Sequence, residues 1–137
     1  MSSGNDILCN DIVFEHIGVA VNSISESMQV LNEIFNLKEV PEIYEDALQN
    51  IKISFVNLSG VKIELIEPLD SNRKSPVDNI IKKNISYYHL CFRTRSLEET
   101  VSRLVERGAV EVVKPIPAAE KNTSGRPAHD MVRPRVA

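Results

Sequence analysis

FEHIGVAV, residues Phe14 to Val21, alternates like a half-buried β-strand yet sets a histidine, His16, among apolar neighbours. A second run, YYHLCFR from Tyr87 to Arg93, places His89 in the same way. An internal repeat relates the two. Moving forward 73 residues carries His16 onto His89, Ser23 onto Ser96, Ile24 onto Leu97, Glu26 onto Glu99, Leu31 onto Leu104 and Glu33 onto Glu106 without a gap. Two copies of one unit, each opening on a histidine-bearing strand, account for both residues at once. A pseudo-twofold axis between the copies would bring the histidines together.

Outward from each strand the period changes. In SISESMQVLNEIF, Ser23 is an N-cap with Glu26 three residues on, and Ile24, Met28, Leu31 and Phe35 recur at helical spacing. In SLEETVSRLVERG the cap is Ser96 with Glu99, the apolar stripe is Leu97, Val101, Leu104 and Val105, and Gly108 closes the helix. LKEVPEIY reads as an edge strand broken at Pro41. IKISFVNL and VKIELIEPL alternate as strands, joined by a tight turn at Ser59 and Gly60. A short helix is predicted over Val77 to Lys83, capped by Ser75 with Pro76 at its first position. AVEVVKP supplies the strand after the second helix.

This spacing predicts an α+β fold of paired βαβββ modules, the second incomplete. Its divisions are an N-terminal extension (1–13), a first module (14–69), a linker with a short helix (70–85), a second module (86–117) and an irregular tail (118–137). From Pro115 onward the alternation fails. Four of the seven prolines lie there, and nothing resembles a last hairpin. The tail is expected to be mostly irregular; otherwise Ile116, Met131 and Val132 would bury across the cup, with His129 or Asp130 near the metal.

Composition excludes several functions. A chain of 137 residues with 42% apolar and 26% charged residues is ordinary for a folded domain. The formal net charge of −3 comes without any basic, aromatic-interleaved cluster, which argues against a nucleic-acid partner. No apolar run is long enough to span a bilayer and the N-terminus has no signal-peptide pattern, so a cytoplasmic protein is expected. Cys9 and Cys91 have no metal or redox spacing, and a disulfide is not expected.

The chemistry-bearing residues are His16, His89 and Glu64, the last set between Ile63 and Leu65 in the strand that closes the first module. Two imidazoles and a carboxylate in one cleft suit a divalent metal (Co, Ni, Zn, Mn or Fe) with open positions for Lewis-acid chemistry. Each residue taken singly has a plainer reading. Either histidine would be a hydrogen-bonded strand residue, and Glu64 a solvated position on an alternating strand. The repeat-equivalent placement of the histidines favours the metal site. Cys91, two residues after His89, reads as a small buried filler.

HIGVAVNSISESMQVLNEIFNL, VKIELIEPL, SPVDNIIKKN and YYHLCF, in this order, resemble the vicinal oxygen chelate superfamily (glyoxalase/bleomycin resistance/dioxygenase), and within it the methylmalonyl-CoA epimerase family. The resemblance runs from about Phe14 to Pro117. It implies two βαβββ modules in a curved sheet around a metal held by His16, Glu64 and His89. It also implies a fourth ligand, a glutamate on the last strand of the second module, for which this sequence has no match. The catalytic glutamate that follows a glutamine by four residues in several bacterial epimerases is replaced here by Ile53, after Gln49. Glu42 and Glu45 are the remaining, weak candidates for a base, so no catalytic residue is assigned.

The expected function is therefore a metal-dependent epimerase or isomerase working by proton abstraction and enolate stabilisation on a small substrate, such as an acyl-CoA, in a homodimer that covers the open sheet edge. The alternatives are a non-catalytic, resistance-type ligand-binding module of the same fold, a lyase of the glyoxalase type, and an inactive product with an altered ending.

Overall fold

The computed structural model describes residues 12–111 and the backbone of Met131–Val132. Its elements in chain order are β1 (Ile12–Ala20), α1 (Ile24–Phe35), β2 (Tyr44–Asp46), β3 (Ile51–Leu58), β4 (Val61–Pro68), α2 (Asp78–Lys82), β5 (Tyr87–Thr94), α3 (Leu97–Glu106) and β6 (Met131–Val132). The fold is mixed α+β with an open mixed sheet, and its first module has the expected βαβββ order. Two compact units divide the chain, residues 16–89 and residues 1–15 with 90–137, so the boundary passes through β1 and β5.

In the unit of residues 16–89 the strands lie in the order β2-β3-β4-β1. The hairpin β3–β4 is antiparallel, closing at Leu58 and Val61. Its two turn residues both take positive φ, 54° at Ser59 and 91° at Gly60, the conformation that matches strand twist in a two-residue loop. β4 lies parallel to β1, with Gly18 opposite Glu64, the connection between them running through α1, β2 and β3. α1 starts where the capping pattern predicts: Ser23 Oγ accepts from the Glu26 amide at 3.2 Å. Glu67 Oε2 takes the Ile24 amide as well, at 2.9 Å.

Alternation along the strands gives this sheet two different faces. One carries Val19, Val56, Leu58, Ile63 and Leu65 against Ile24, Met28 and Leu31 of α1. The other carries Ala20, Ile51, Ile53 and Ile66 under Val77, Ile80 and Ile81. The loop after β4 is fastened to the start of β3 by Asn50. This residue is buried, sits at φ 56°, and its amide donates to the carbonyls of Asp70, Arg73 and Lys74 while its oxygen accepts from the Asp70 amide.

The unit holding residues 90–111 contains α3, capped by Ser96 Oγ on the Glu99 amide. Gly108, at φ 100°, ends it in a Schellman arrangement, with Gly108 N bonded to Val105 O and Ala109 N to Leu104 O. Phe92 and Arg93 of β5 pair antiparallel with Val132 and Met131.

Three local expectations need correction. The segment 37–43 is not a strand: β2 begins only at Tyr44, three residues beyond Pro41, which has no amide hydrogen to give a ladder. Ser75 does not cap α2. The direction is reversed, with Asp78 Oδ2 accepting from the Ser75 amide at 2.7 Å, so the helix starts at Asp78. Residues 109–111 are not extended into a strand, and the rest of AVEVVKP lies outside the described residues. So do Cys9, Ile116, His129 and Asp130, together with the side chains of Met131 and Val132.

Candidate metal centre

β1, β4 and β5 deliver one donor each to the sheet face not covered by α1. Alternation puts His16 and Gly18 on that face of β1, Glu64 on the same face of β4, and Phe55 beside Glu64 on β3. His89 enters from the start of β5, whose preceding residue, Ser86, is bonded through its carbonyl to the Ala20 amide at 2.8 Å. His16, Glu64 and His89 are all buried, at 2%, 3% and 6% exposure, although each is polar.

The three side chains meet. His16 Nε2 and His89 Nε2 are 3.1 Å apart. Glu64 Oε2 is 3.5 Å from His16 Nε2, and Glu64 Oε1 is 3.6 Å from His89 Nε2. Glu64 Oε1 has no hydrogen-bond partner among the described residues. A buried carboxylate oxygen without such a bond costs free energy, and two imidazole nitrogens facing each other use at most one proton between them. An ion at the centre removes both costs, because every converging atom is then a lone-pair donor. Donors that share one divalent ion at about 2.0–2.2 Å stand about 3–3.6 Å from one another, a range that holds the 3.1 Å between the two imidazole nitrogens and the distance from each of them to its nearer-facing Glu64 oxygen. The residues fit a divalent metal, and the donor set is two imidazoles and one carboxylate.

The imidazoles are walled by aromatic rings. Phe55 packs edge-on to His16 at 5.4 Å between centroids, and Tyr88 edge-on to His89 at 4.8 Å. The Lys62 ammonium lies 4.5 Å from the Phe55 centroid, two residues before Glu64 on the same strand face. Gly18, Phe55 and Lys62 were not singled out by the sequence reading. The available signal was parity: each shares its strand face with a candidate ligand or pairs directly with one. Glu42 and Glu45 are exposed, and Glu42 accepts a hydrogen bond from the Tyr44 hydroxyl, so neither joins the cluster. Cys91 is wholly buried, as a small filler would be.

The sequence pattern of the Glyoxalase/Bleomycin resistance protein/Dioxygenase superfamily matches residues 15–125. The chain belongs to this superfamily. Similarity within the superfamily extends to the mitochondrial methylmalonyl-CoA epimerase of Mus musculus, 26% identical over 94 residues that make up 67% of this chain and 51% of that one. A hypothetical protein from Bacillus halodurans shares the fold at a TM-score of 0.69 and 30% identity, covering 79% of this chain and 78% of that one. The methylmalonyl-CoA epimerase of Mycobacterium tuberculosis follows at a TM-score of 0.64 and 20% identity, covering 83% of this chain and 74% of that one. The chain spans between about half and about two thirds of the length of the curated superfamily relatives it matches. Among the described residues no helix is long and apolar enough to cross a membrane.

Proposed function

We propose that this chain is a metal-dependent isomerase of the methylmalonyl-CoA epimerase type, acting on an acyl-CoA with an acidic α-hydrogen and assembling as a homodimer. The observation that carries the reading is the convergence of His16, Glu64 and His89, three buried donors within 3.1–3.6 Å of one another, in a chain similar to named epimerases.

His16, Glu64 and His89 would hold the ion, which when bound supplies Lewis-acid polarisation of two substrate oxygens and stabilises negative charge developing on them. The protein's own part is to fix the donors and to keep the surroundings dry. Phe55 and Tyr88 exclude water beside the imidazoles, which strengthens every electrostatic interaction there. The Lys62 ammonium adds positive charge on the same face. Epimerisation then requires removal of the α-proton from one side and return of a proton to the other, with no net change in composition.

Incubation of metal-loaded protein with methylmalonyl-CoA in deuterium oxide tests this directly. NMR should show loss of the α-hydrogen signal, dependent on added metal and stopped by chelation. Metal uptake without exchange would refute the epimerase and favour the ligand-binding module.

A further inference from the structure

We propose that Gly18 is the positioning residue that admits the His89 imidazole to the cluster, an inference that rests on reading His16, Glu64 and His89 as a metal site. In β1, Gly18 stands two residues after His16 on the same face and directly opposite Glu64 on β4. A side chain at this position would occupy the space between the two ligands. That space holds the His89 ring instead. A Cβ built on Gly18 lies 2.5 Å from Cε1, 2.6 Å from Nε2 and 2.7 Å from Nδ1 of His89, and these are its three nearest atoms.

The glycine is not there for its backbone freedom, since it is absent from the positive-φ positions, where Gly60 and Gly108 are found. Its role is room. Glycine weakens a strand interior, so the position carries a standing cost that the imidazole makes necessary. A methyl group would need about 1 Å more than the present separation from all three ring atoms, judged against ordinary carbon contacts of roughly 3.5–4.0 Å. The ring has little freedom to yield: it is buried, with Tyr88 on one side at 4.8 Å and His16 on another at 5.3 Å. Metal coordination tolerates errors of about 0.2 Å, so a shift of this size takes Nε2 out of the ligand set.

A two-by-two set of variants tests the proposal: wild type, Gly18→Ala, His89→Ala and the double variant. Each is titrated with Co(II), followed by its visible absorption, and unfolded in urea without metal. Gly18→Ala should weaken Co(II) binding about 10–100-fold, the range typical of disturbing a ligand's support, and lower the metal-free urea midpoint. In the His89→Ala background the same change should leave both readouts unmoved or raise the midpoint, because no ring remains to be displaced. Should Gly18→Ala alone fail to fold, the double variant should still fold. Equal losses in the two backgrounds, or wild-type Co(II) affinity and coordination spectrum in Gly18→Ala, would overturn the proposal. If wild type takes up no Co(II), the metal-site reading falls, and the urea midpoints still decide whether Gly18 acts through His89.

Discussion

Replacing Glu64 by glutamine should raise the stability of the metal-free protein and lower that of the metal-loaded one. The carboxylate is buried, one of its oxygens has no hydrogen bond among the described residues, and its nearest polar neighbours are imidazoles at 3.5 and 3.6 Å. Leaving such a group unsatisfied costs about 1–3 kcal/mol. Glutamine has nearly the same shape, carries no charge to desolvate, and can donate to an imidazole nitrogen. The expected gain is about 1–2 kcal/mol, or roughly 3–8 °C in Tm for a domain of this size. Metal reverses the order. An ion present at one hundred times its Kd stabilises wild type by about 2.7 kcal/mol, whereas a hundredfold weaker site keeps only about 0.4 kcal/mol at the same concentration. Differential scanning calorimetry with and without Co(II) or Zn(II) should therefore show the two melting curves exchange places. A Glu64→Gln protein less stable than wild type in both conditions would show that the carboxylate supports the fold rather than the ion.

Asn50→Ala should destabilise the metal-free protein by about 3 kcal/mol, read as a lower urea midpoint at unchanged slope, since it removes the hydrogen bonds that tie Asp70, Arg73 and Lys74 to β3 and leaves their backbone groups unpaired. Asn50→Asp should be at least as damaging, because it turns a donor facing three carbonyls into a carboxylate oxygen. Ser23→Ala and Ser96→Ala should each cost about 1 kcal/mol in the same assay, with metal affinity unchanged.

What the sequence made legible follows the range of the interactions involved. Ser23, Ser96 and the Ser59–Gly60 turn act within a few residues of themselves, and all three are found as read. The histidines were legible for another reason: duplication lets one copy be checked against the other, and their side chains do meet across 73 positions. Glu64 could be set apart from Glu67 by strand parity, and Glu67 is engaged at the start of α1. The misreadings concern competition between near-equivalent groups. Both Ser75 and Asp78 are good caps, and only the packed loop decides which accepts and which donates. Gly18 could not be understood before the register was known, because what it accommodates arrives from a strand far along the chain.

The donors' separation has a kinetic consequence. With one on each of β1, β4 and β5, no short stretch of this chain contains the centre, and chelation belongs to the assembled sheet. An ion gripped there acts as a removable crosslink closing a long loop, and it can leave when any one of the three strands opens. The speed at which a strong chelator strips it would then act as a clock for strand opening in residues 16–89, to be read beside amide hydrogen exchange in the same segments.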